Sequence, residues 1–516
     1  MNKPGRFANF GRNMNLLFHN QPSYFILMFV VACFFTRTTA QNYDYSHRKR
    51  DCELKIITSE GAPVITLIGI AQLSNDFAFG GKISSKELDT LEGEYEQQFL
   101  SYFDYGIPKE EMEWEYVTRC PEKCDPDFSK ADFLVDWMQK IQIPVHGSLF
   151  SNGKEEWIPE WARDLETTAF KQAMQEHINS TMDHYKGKIS QWELLFEGCQ
   201  KQNDPSPSSG ILQTKSGDPN IFTWIIDKAR ETDPGTGFVI NHCNIITSND
   251  LTIADQFINT FKPLSSKFDI IGAQGHFGSI MDKNSYEPKI NYLAEQLGKP
   301  VWLTEIDFSL DINKAPDKLE ELMRTCFANP NVGGIFMENW YRSSDSDSNL
   351  TSYFIDSVGN ETPVGQRWRE VRNEWKTVEG GYTDDSGKYY FNGFHGKYRI
   401  LISCFIDSFY LEPGEGTQTI VVVSHAESGV DRRSGSLGTT EFVINGKTAK
   451  ISLPHHYNKQ LFLTTYSLSG QQLSRSPISQ KGGRLLLTPA YSCCRIIRIE
   501  TVDRKPLYTG KVMAVH

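Results

Sequence analysis

Two carboxylates in this chain stand where a buried run of residues ends. In residues 181–200, TMDHYKGKISQWELLFEGCQ, Tyr185, Lys186, Gly187 and Lys188 read as the basic, glycine-marked end of an amphipathic helix. Residues 189–196 then read as a strand with too few polar interruptions to face solvent, and Glu197 follows at its C-terminal lip. Residues 299–308, KPVWLTEIDF, repeat the design, with an apolar strand at 301–303 delivering Thr304 and Glu305. In an α/β barrel that lip holds the chemistry. Two glutamates on separate strands are the minimum equipment for glycoside hydrolysis, one as proton donor to the leaving oxygen and one as nucleophile or base. Two ordinary solvated strand-end carboxylates would look the same in isolation.

The words around the pair are more specific. YKGKISQWELLFE resembles the acid/base strand of glycoside hydrolase family 10, the retaining endo-xylanases, usually written YKGKxxxWDVVNE. VWLTEID resembles that family's nucleophile strand, WxTELD, and residues 268–277, FDIIGAQGHF, match the strand IDGIGxQxHF between them. The resemblance spans roughly residues 73–375, and shorter pieces on either side look like the plant and animal branch. It implies a (β/α)8 barrel in which Glu197 protonates the glycosidic oxygen while Glu305 attacks the anomeric carbon. Retention through a covalent glycosyl-enzyme requires carboxyls about 5 to 5.5 Å apart, with Glu197 protonated and Glu305 ionised near working pH. His276 is implied to hydrogen-bond Glu305 and hold it ionised, with Gln274 beside it on the same strand. In PVHGSLF, against the family's RGHxLxWH, His146 takes the place of the sugar-binding histidine. In VGGIFMENW, against VxGITLWGW, Trp340 takes the place of an aromatic floor for a sugar ring. Taken without the resemblance, His146 reads equally as a packed strand histidine and Trp340 as a core aromatic. No metal or cofactor is expected.

Several neighbours depart from the family pattern. The run KEEMEWE stands where the family has ENxMKWE, placing Glu110 and Glu113 at the substrate-binding Asn and Lys positions. Phe196 replaces the Asn that holds the sugar 2-hydroxyl, a hydrogen bond whose loss typically costs a few kcal/mol in the transition state. Phe150 and Glu338 replace two tryptophans, and Ser151 a histidine. The added acids are expected to raise the pKa of both catalytic glutamates. Three readings follow. The first is an endo-acting β-1,4-glycanase of shifted specificity, with the extra acids suiting an aminated sugar. The second is a catalytically impaired, polysaccharide-binding matrix protein. The third is an acidic matrix protein that binds Ca²⁺.

The elements that must position these residues need most of the chain. A barrel of roughly 250 to 330 residues leaves material at both ends of the 516. Residues 1–40, with Lys3, Arg6 and Arg12 before an apolar run and then Thr38, Thr39 and Ala40, read as a secretory signal. Their apolar run, about twelve residues, is short of the roughly 20 that span a bilayer. They hold four Lys or Arg and no acid, so their removal takes the formal charge from −11 to −15, which argues against nucleic acid as a partner. A secreted protein without a membrane partner after cleavage follows, in which Asn179, Asn349 and Asn360 head glycosylation sequons. The oligomeric state is left open. Of the nine cysteines beyond residue 40, Cys120 and Cys124 are the candidate local bridge. The basic residues His47 to Arg50 read as a solvated charge run or a processing site. Residues 41–72 should be a linker and short β arm, 73–378 the barrel, and 379–516 a β-rich region.

Overall fold

The computed structural model describes residues 43–91, 93–108, 110–150, 155, 158–196, 211–343, 346–402 and 405–424, together with seven strands between 441 and 512. For Phe196, Phe405 and those last strands only the backbone is described. The expected signal segment and Glu197 lie outside the described residues.

After β1 (Lys49–Ile57) and β2 (Leu67–Asn75) come eight strands: β3 (Ala78–Ile83), β4 (Tyr105–Pro108), β5 (His146–Ser148), β6 (Gln191–Phe196), β7 (Gly237–His242), β8 (Ile270–His276), β9 (Val301–Asp307) and β10 (Val332–Met337). They form one parallel sheet in the order β4-β3-β10-β9-β8-β7-β6-β5. A parallel bridge between Gly106 and Val145, with the Gly106 N–H donating to Pro144 O at 3.1 Å, joins the ends into a closed barrel. These strands are apolar on both sides because both are covered. Leu303 and Ile306 of β9 pack toward the helical shell, while Trp302 packs inside with Tyr105, Val239, Ile270 and Phe336. The approach of β3 to β10 needs Gly80, where a Cβ would sit 2.1 Å from the Phe336 ring.

A helix follows every barrel strand, the main ones being Glu94–Tyr102, Ser129–Ile141, Thr167–His184, Ile221–Thr232, Thr252–Phe261, Lys283–Leu297, Ala315–Ala328 and Pro363–Glu374. Each presents an apolar stripe; in Ser129–Ile141 the buried positions are Ala131, Leu134, Val135 and Met138, the spacing of one helical face. Between β3 and β4 the helical run is split in two, Ser85–Thr90 and Glu94–Tyr102, because Gly93 takes φ 88°, a left-handed conformation that interrupts it. A short helix, Ile211–Ser216, precedes Ile221–Thr232.

The expected arm and tail do not stay apart. β1 and β2 do not form a hairpin. β1 lies between β12 (Lys388–Phe394) and β15 (Gln418–Val423), while β2 lies between β11 (Val378–Tyr382) and β13 (Gly396–Ile402), with β14 (Phe405–Leu411) beyond. Cys52, Leu54 and Ile56 of β1 share one core with Ile68, Ile70, Phe391, Tyr398, Ile400, Ile402, Leu411 and Val422. The boundary drawn at 379 therefore cuts through a β unit that draws strands from both sides of the barrel. Further along, Glu441–Asn445, Thr448–Ser452 and Arg484–Leu486 form an antiparallel sheet, and Leu461–Tyr466, Gln472–Ile478, Arg495–Thr501 and Pro506–Val512 form another.

Cys120 and Cys124 are bonded to each other, and Cys52, Cys243 and Cys326 are buried thiols. The basic run at 47–50 is not merely solvated. Arg48 donates to the carbonyls of Phe327, Asn329 and Val332 at 3.0, 2.8 and 2.6 Å, tying the start of β1 to the entry of β10. Burial lowers its guanidinium to about 10, against the raising influence of Asp76. Arg50 likewise donates to the carbonyls of Gly416, Glu412 and Glu415. Replacing Arg48 by Met should cost about 2 to 3 kcal/mol in urea unfolding, because three carbonyls lose a charged donor; an unchanged midpoint would show that the anchor is redundant.

Candidate active site

The barrel interior changes character along its axis. Ala78, Tyr105, Ile107, Val239, Ile270, Trp302 and Phe336 make an apolar layer in which the Trp302 and Phe336 rings stack with centroids 5.2 Å apart. Toward the strand ends the layer becomes polar, with Lys82, His146, Glu193, Asn241, Gln274, Glu305 and Glu338.

Strict alternation along β9 would point Trp302 inward, Leu303 outward, Thr304 inward and Glu305 outward. The pairing breaks that alternation. Ala273 faces Leu303 but Gln274 faces Glu305, and on the other side Ile335 faces Leu303 but Met337 faces Ile306. β9 thus carries one extra residue against both neighbours, a bulge that turns Glu305 into the barrel and leaves Ile306 in the outer core. β6 has the same device, with Glu193 facing Val239 and Leu195 facing Ile240, just ahead of Glu197.

A chain of polar contacts then crosses the interior. Asn241 Nδ2 donates to Glu305 Oε1 at 3.2 Å and to Glu193 Oε2 at 2.9 Å. Glu193 Oε2 lies 3.4 Å from His146 Nε2. On the other side of Glu305, Oε2 is 3.2 Å from His276 Nε2, and His276 Nδ1 is 2.8 Å from Asp307 Oδ1. Asn339 Nδ2 donates to Asp307 Oδ2 at 3.2 Å. Lys82 Nζ pairs with Glu338 Oε2 at 2.7 Å on the neighbouring strand ends.

Glu305 is 5% exposed, and burial by itself pushes its pKa upward. The Lys82 charge, the His276 hydrogen bond and charge, and the Asn241 hydrogen bond outweigh that and hold it below the ordinary carboxylate value. The expectation that added acids would raise it is therefore corrected at Glu305, because Lys82 supplies a compensating cation. Burial opposes the charged form of His276, yet its bonds to Asp307 and Glu305 raise it to about 10. Glu338 moves up, through burial and the nearby Glu305 charge, against the pull of Lys82.

The remaining expected residues are placed as follows. Gln274 is buried and faces Glu305 across the β8–β9 pair. Glu113 accepts a hydrogen bond from the Ser148 hydroxyl at 3.5 Å, and the half-buried Glu110 adds its negative charge to the surroundings of Lys82. His146 is 1% exposed, its ring 5.9 Å from those of Trp302 and Phe336. Among the described residues it is linked to Glu305 through Glu193 and Asn241, within the same buried polar layer. Trp340 is also enclosed, at 2% exposure, with Tyr95, Phe99 and Phe103 around its ring and its indole N–H on Lys82 O at 2.7 Å. It is a core aromatic, not a floor. Phe150 is buried against Trp114 and His177. Sequence reasoning missed Lys82, Glu193, Asn241, Asp307 and Asn339. The available signal was a polar residue late in an otherwise apolar strand, as Asn241 is in GFVINH and Lys82 in AFGGKI.

A closed parallel barrel of eight strands, each followed by a helix, with a carboxylate turned inward at a strand end, defines a (β/α)8 protein. The chain belongs to glycosyl hydrolase family 10, whose model matches residues 70–364. It is 28% identical over 396 residues to the anti-sigma-I factor RsgI6 of Acetivibrio thermocellus, covering 76% of this chain and 48% of that protein. Against endo-1,4-beta-xylanase 1 of Arabidopsis thaliana it is 24% identical over 390 residues, covering 73% and 39%. The chain thus spans half or less of the length of these relatives. Among solved structures, xylanase 10B from Thermotoga petrophila in complex with xylobiose shares the fold with a TM-score of 0.50 at 19% identity, covering 58% of this chain and 94% of that one. A GH10 structure from Paenibacillus barcinonensis does so with a TM-score of 0.51 at 19% identity, covering 58% and 96%.

Two outcomes are expected. Asn241 is fully buried, and Asn241→Ala strips a donor from two carboxylates, so unfolding free energy should fall by about 1 to 3 kcal/mol; a wild-type denaturation midpoint would remove Asn241 from the network. Because the folded His276 titrates near 10 against an ordinary 6.5, its contribution is complete below 6.5 and is lost as pH rises through 10. The stability gap between wild type and His276→Ala should close over that window, and a gap constant from neutral pH to pH ~11 would contradict the His276–Glu305 pairing.

Proposed function

We propose that the protein is a secreted glycoside hydrolase that cleaves internal β-1,4 linkages of a polysaccharide with retention of configuration, Glu305 acting as nucleophile and Glu197 as acid/base. The observation that carries this reading is the placing of Glu305, a buried carboxylate turned into the barrel by a bulge and held at 3.2 Å by both Asn241 Nδ2 and His276 Nε2, with the Lys82 charge and these bonds lowering its pKa against burial. Family 10 membership supports the reaction class, and the xylanases among the relatives support a β-1,4-linked glycan. In the first step Glu197 gives its proton to the glycosidic oxygen as a Glu305 oxygen bonds to the anomeric carbon and the glycosidic C–O bond breaks. In the second, Glu197 takes a proton from water, whose oxygen attacks the anomeric carbon and releases Glu305.

Secretion is supported by the signal-like residues 1–40, by the Cys120–Cys124 bond, and by the exposure of Asn179, Asn349 and Asn360, the residues that would carry the glycans. The second reading, polysaccharide binding without turnover, draws on Phe196 and Glu338 at family Asn and Trp positions and on the enclosure of Trp340. Together these remove a hydrogen bond and the aromatic stacking that would grip a xylose ring.

The two readings separate in one assay. Reducing-end release should be detected from at least one of xylan, mixed-linkage glucan, carboxymethyl cellulose, mannan and chitosan. Glu305→Gln should reduce it by at least about a thousandfold. Release that survives Glu305→Gln would overturn the mechanism, and retained binding with no release from any glycan would favour the second reading.

A further inference from the structure

A small cavity lies at the foot of the barrel, where the chain enters β3 and β4, away from the strand ends that carry Glu305. Gln72 and Asn75 of β2, Phe79 of β3, Asp104 just before β4, Arg372 of the helix Pro363–Glu374 and Lys376 just beyond it line the space. It has room for little more than one water-sized sphere, about 10 Å³. Arg372 is only 3% exposed. Its Nη2 pairs with Asp104 Oδ2 at 2.8 Å, but its Nε and Nη1 are buried with no hydrogen-bond partner among the described residues. Trp375 also lines the cavity, and its indole N–H is likewise buried without a partner. Lys376 brings a second cation. Burial, and then the Arg372 charge, lower its ammonium to about 8, against the pull of Asp104.

A buried guanidinium with two unanswered N–H groups carries a desolvation penalty that calls for an acceptor. The side-chain acceptors that line the space already hold donors. Gln72 Oε1 accepts from the Thr377 N–H at 3.0 Å and Asn75 Oδ1 from the Phe77 N–H at 3.2 Å. Asp104 Oδ1 accepts from the Phe79 N–H at 3.3 Å, while Oδ2 takes the Asn75 N–H at 3.4 Å besides Arg372. Two cations against one carboxylate also leave a positive charge in excess among the groups that line the cavity. Water matches the size, but it brings two protons that need acceptors and no charge. A tetrahedral oxyanion has the charge and is too large for the space. We propose that Arg372 and Lys376 hold a small inorganic anion, of the size and charge of chloride, in this cavity. The ion joins β2, the entry of β3 and β4 and the last barrel helix, and so braces the β unit against the floor of the barrel.

The test uses the full chain and two halide salts. Bromide substitutes for chloride and scatters anomalously, so a map from crystals soaked in sodium bromide should show a peak against the Arg372 guanidinium. Bromide found only on exposed lysines would mark an adventitious ion only and overturn the site. In solution, thermal unfolding is compared in sodium chloride and sodium gluconate at equal ionic strength, so that screening is the same. An ion that binds the folded state stabilises it by mass action, so Tm should be higher in chloride by about 2 to 4 °C. Lys376→Met should remove most of that difference. Equal Tm values for the wild type in the two salts, or a difference that Lys376→Met leaves untouched, would mean that the cavity takes water and would overturn the proposal. Should Lys376→Met not fold, the bromide map of the wild type decides.

Discussion

A charged carboxylate inside a barrel is tolerated only if its surroundings replace the water it has lost. Glu305 meets that condition through three elements, Lys82 from β3, Asn241 from β7 and His276 from β8. None is its neighbour in sequence, and each is itself held. Lys82 leans on Glu338, Asn241 bridges to Glu193, and His276 is fastened to Asp307, which Asn339 holds in turn. The barrel must close for these partners to meet. The Gly106–Val145 bridge and the tight β3–β10 approach at Gly80 therefore belong to the chemistry as well as to the fold.

The bulges convert a structural strand into a functional one. Along β9 the same seven residues line the inner apolar layer with Trp302, the outer core with Leu303 and Ile306, and the polar layer with Glu305 and Asp307. Without the extra residue near Thr304, the alternation of the strand would send Glu305 into the helical shell, where a carboxylate has no partner. β6 uses the same irregularity ahead of Glu197. Two strands carrying candidate carboxylates thus depart from ideal pairing just before those residues, as expected where a strand re-aims a side chain.

The β unit beside the barrel shows the same dependence on distant segments. β1 alternates Cys52, Leu54 and Ile56 inward, and those residues share a core with Ile68 and Ile70 of β2 and with strands more than three hundred positions later. Arg48 then couples the unit to the barrel through carbonyls at the entry of β10, the strand that leads to Glu338.

What the sequence determined alone was what local pattern carries. The apolar strands ending in Glu197 and Glu305, the helical stripes between them and the three family motifs announced a family 10 barrel, because buried strands and amphipathic helices write their periodicity into adjacent residues. What only the tertiary structure decided was which residues surround Glu305. Nothing in AFGGKI or GFVINH says that Lys82 and Asn241 converge on one carboxylate, since that meeting depends on strand order and on a one-residue bulge. For the same reason His146 and Trp340, aligned by motif to sugar contacts, lie enclosed, and the acids that should have raised Glu305 are countered by a lysine from another strand. Alignment places a residue on a strand; exposure, partners and charge state follow from how the strands pack.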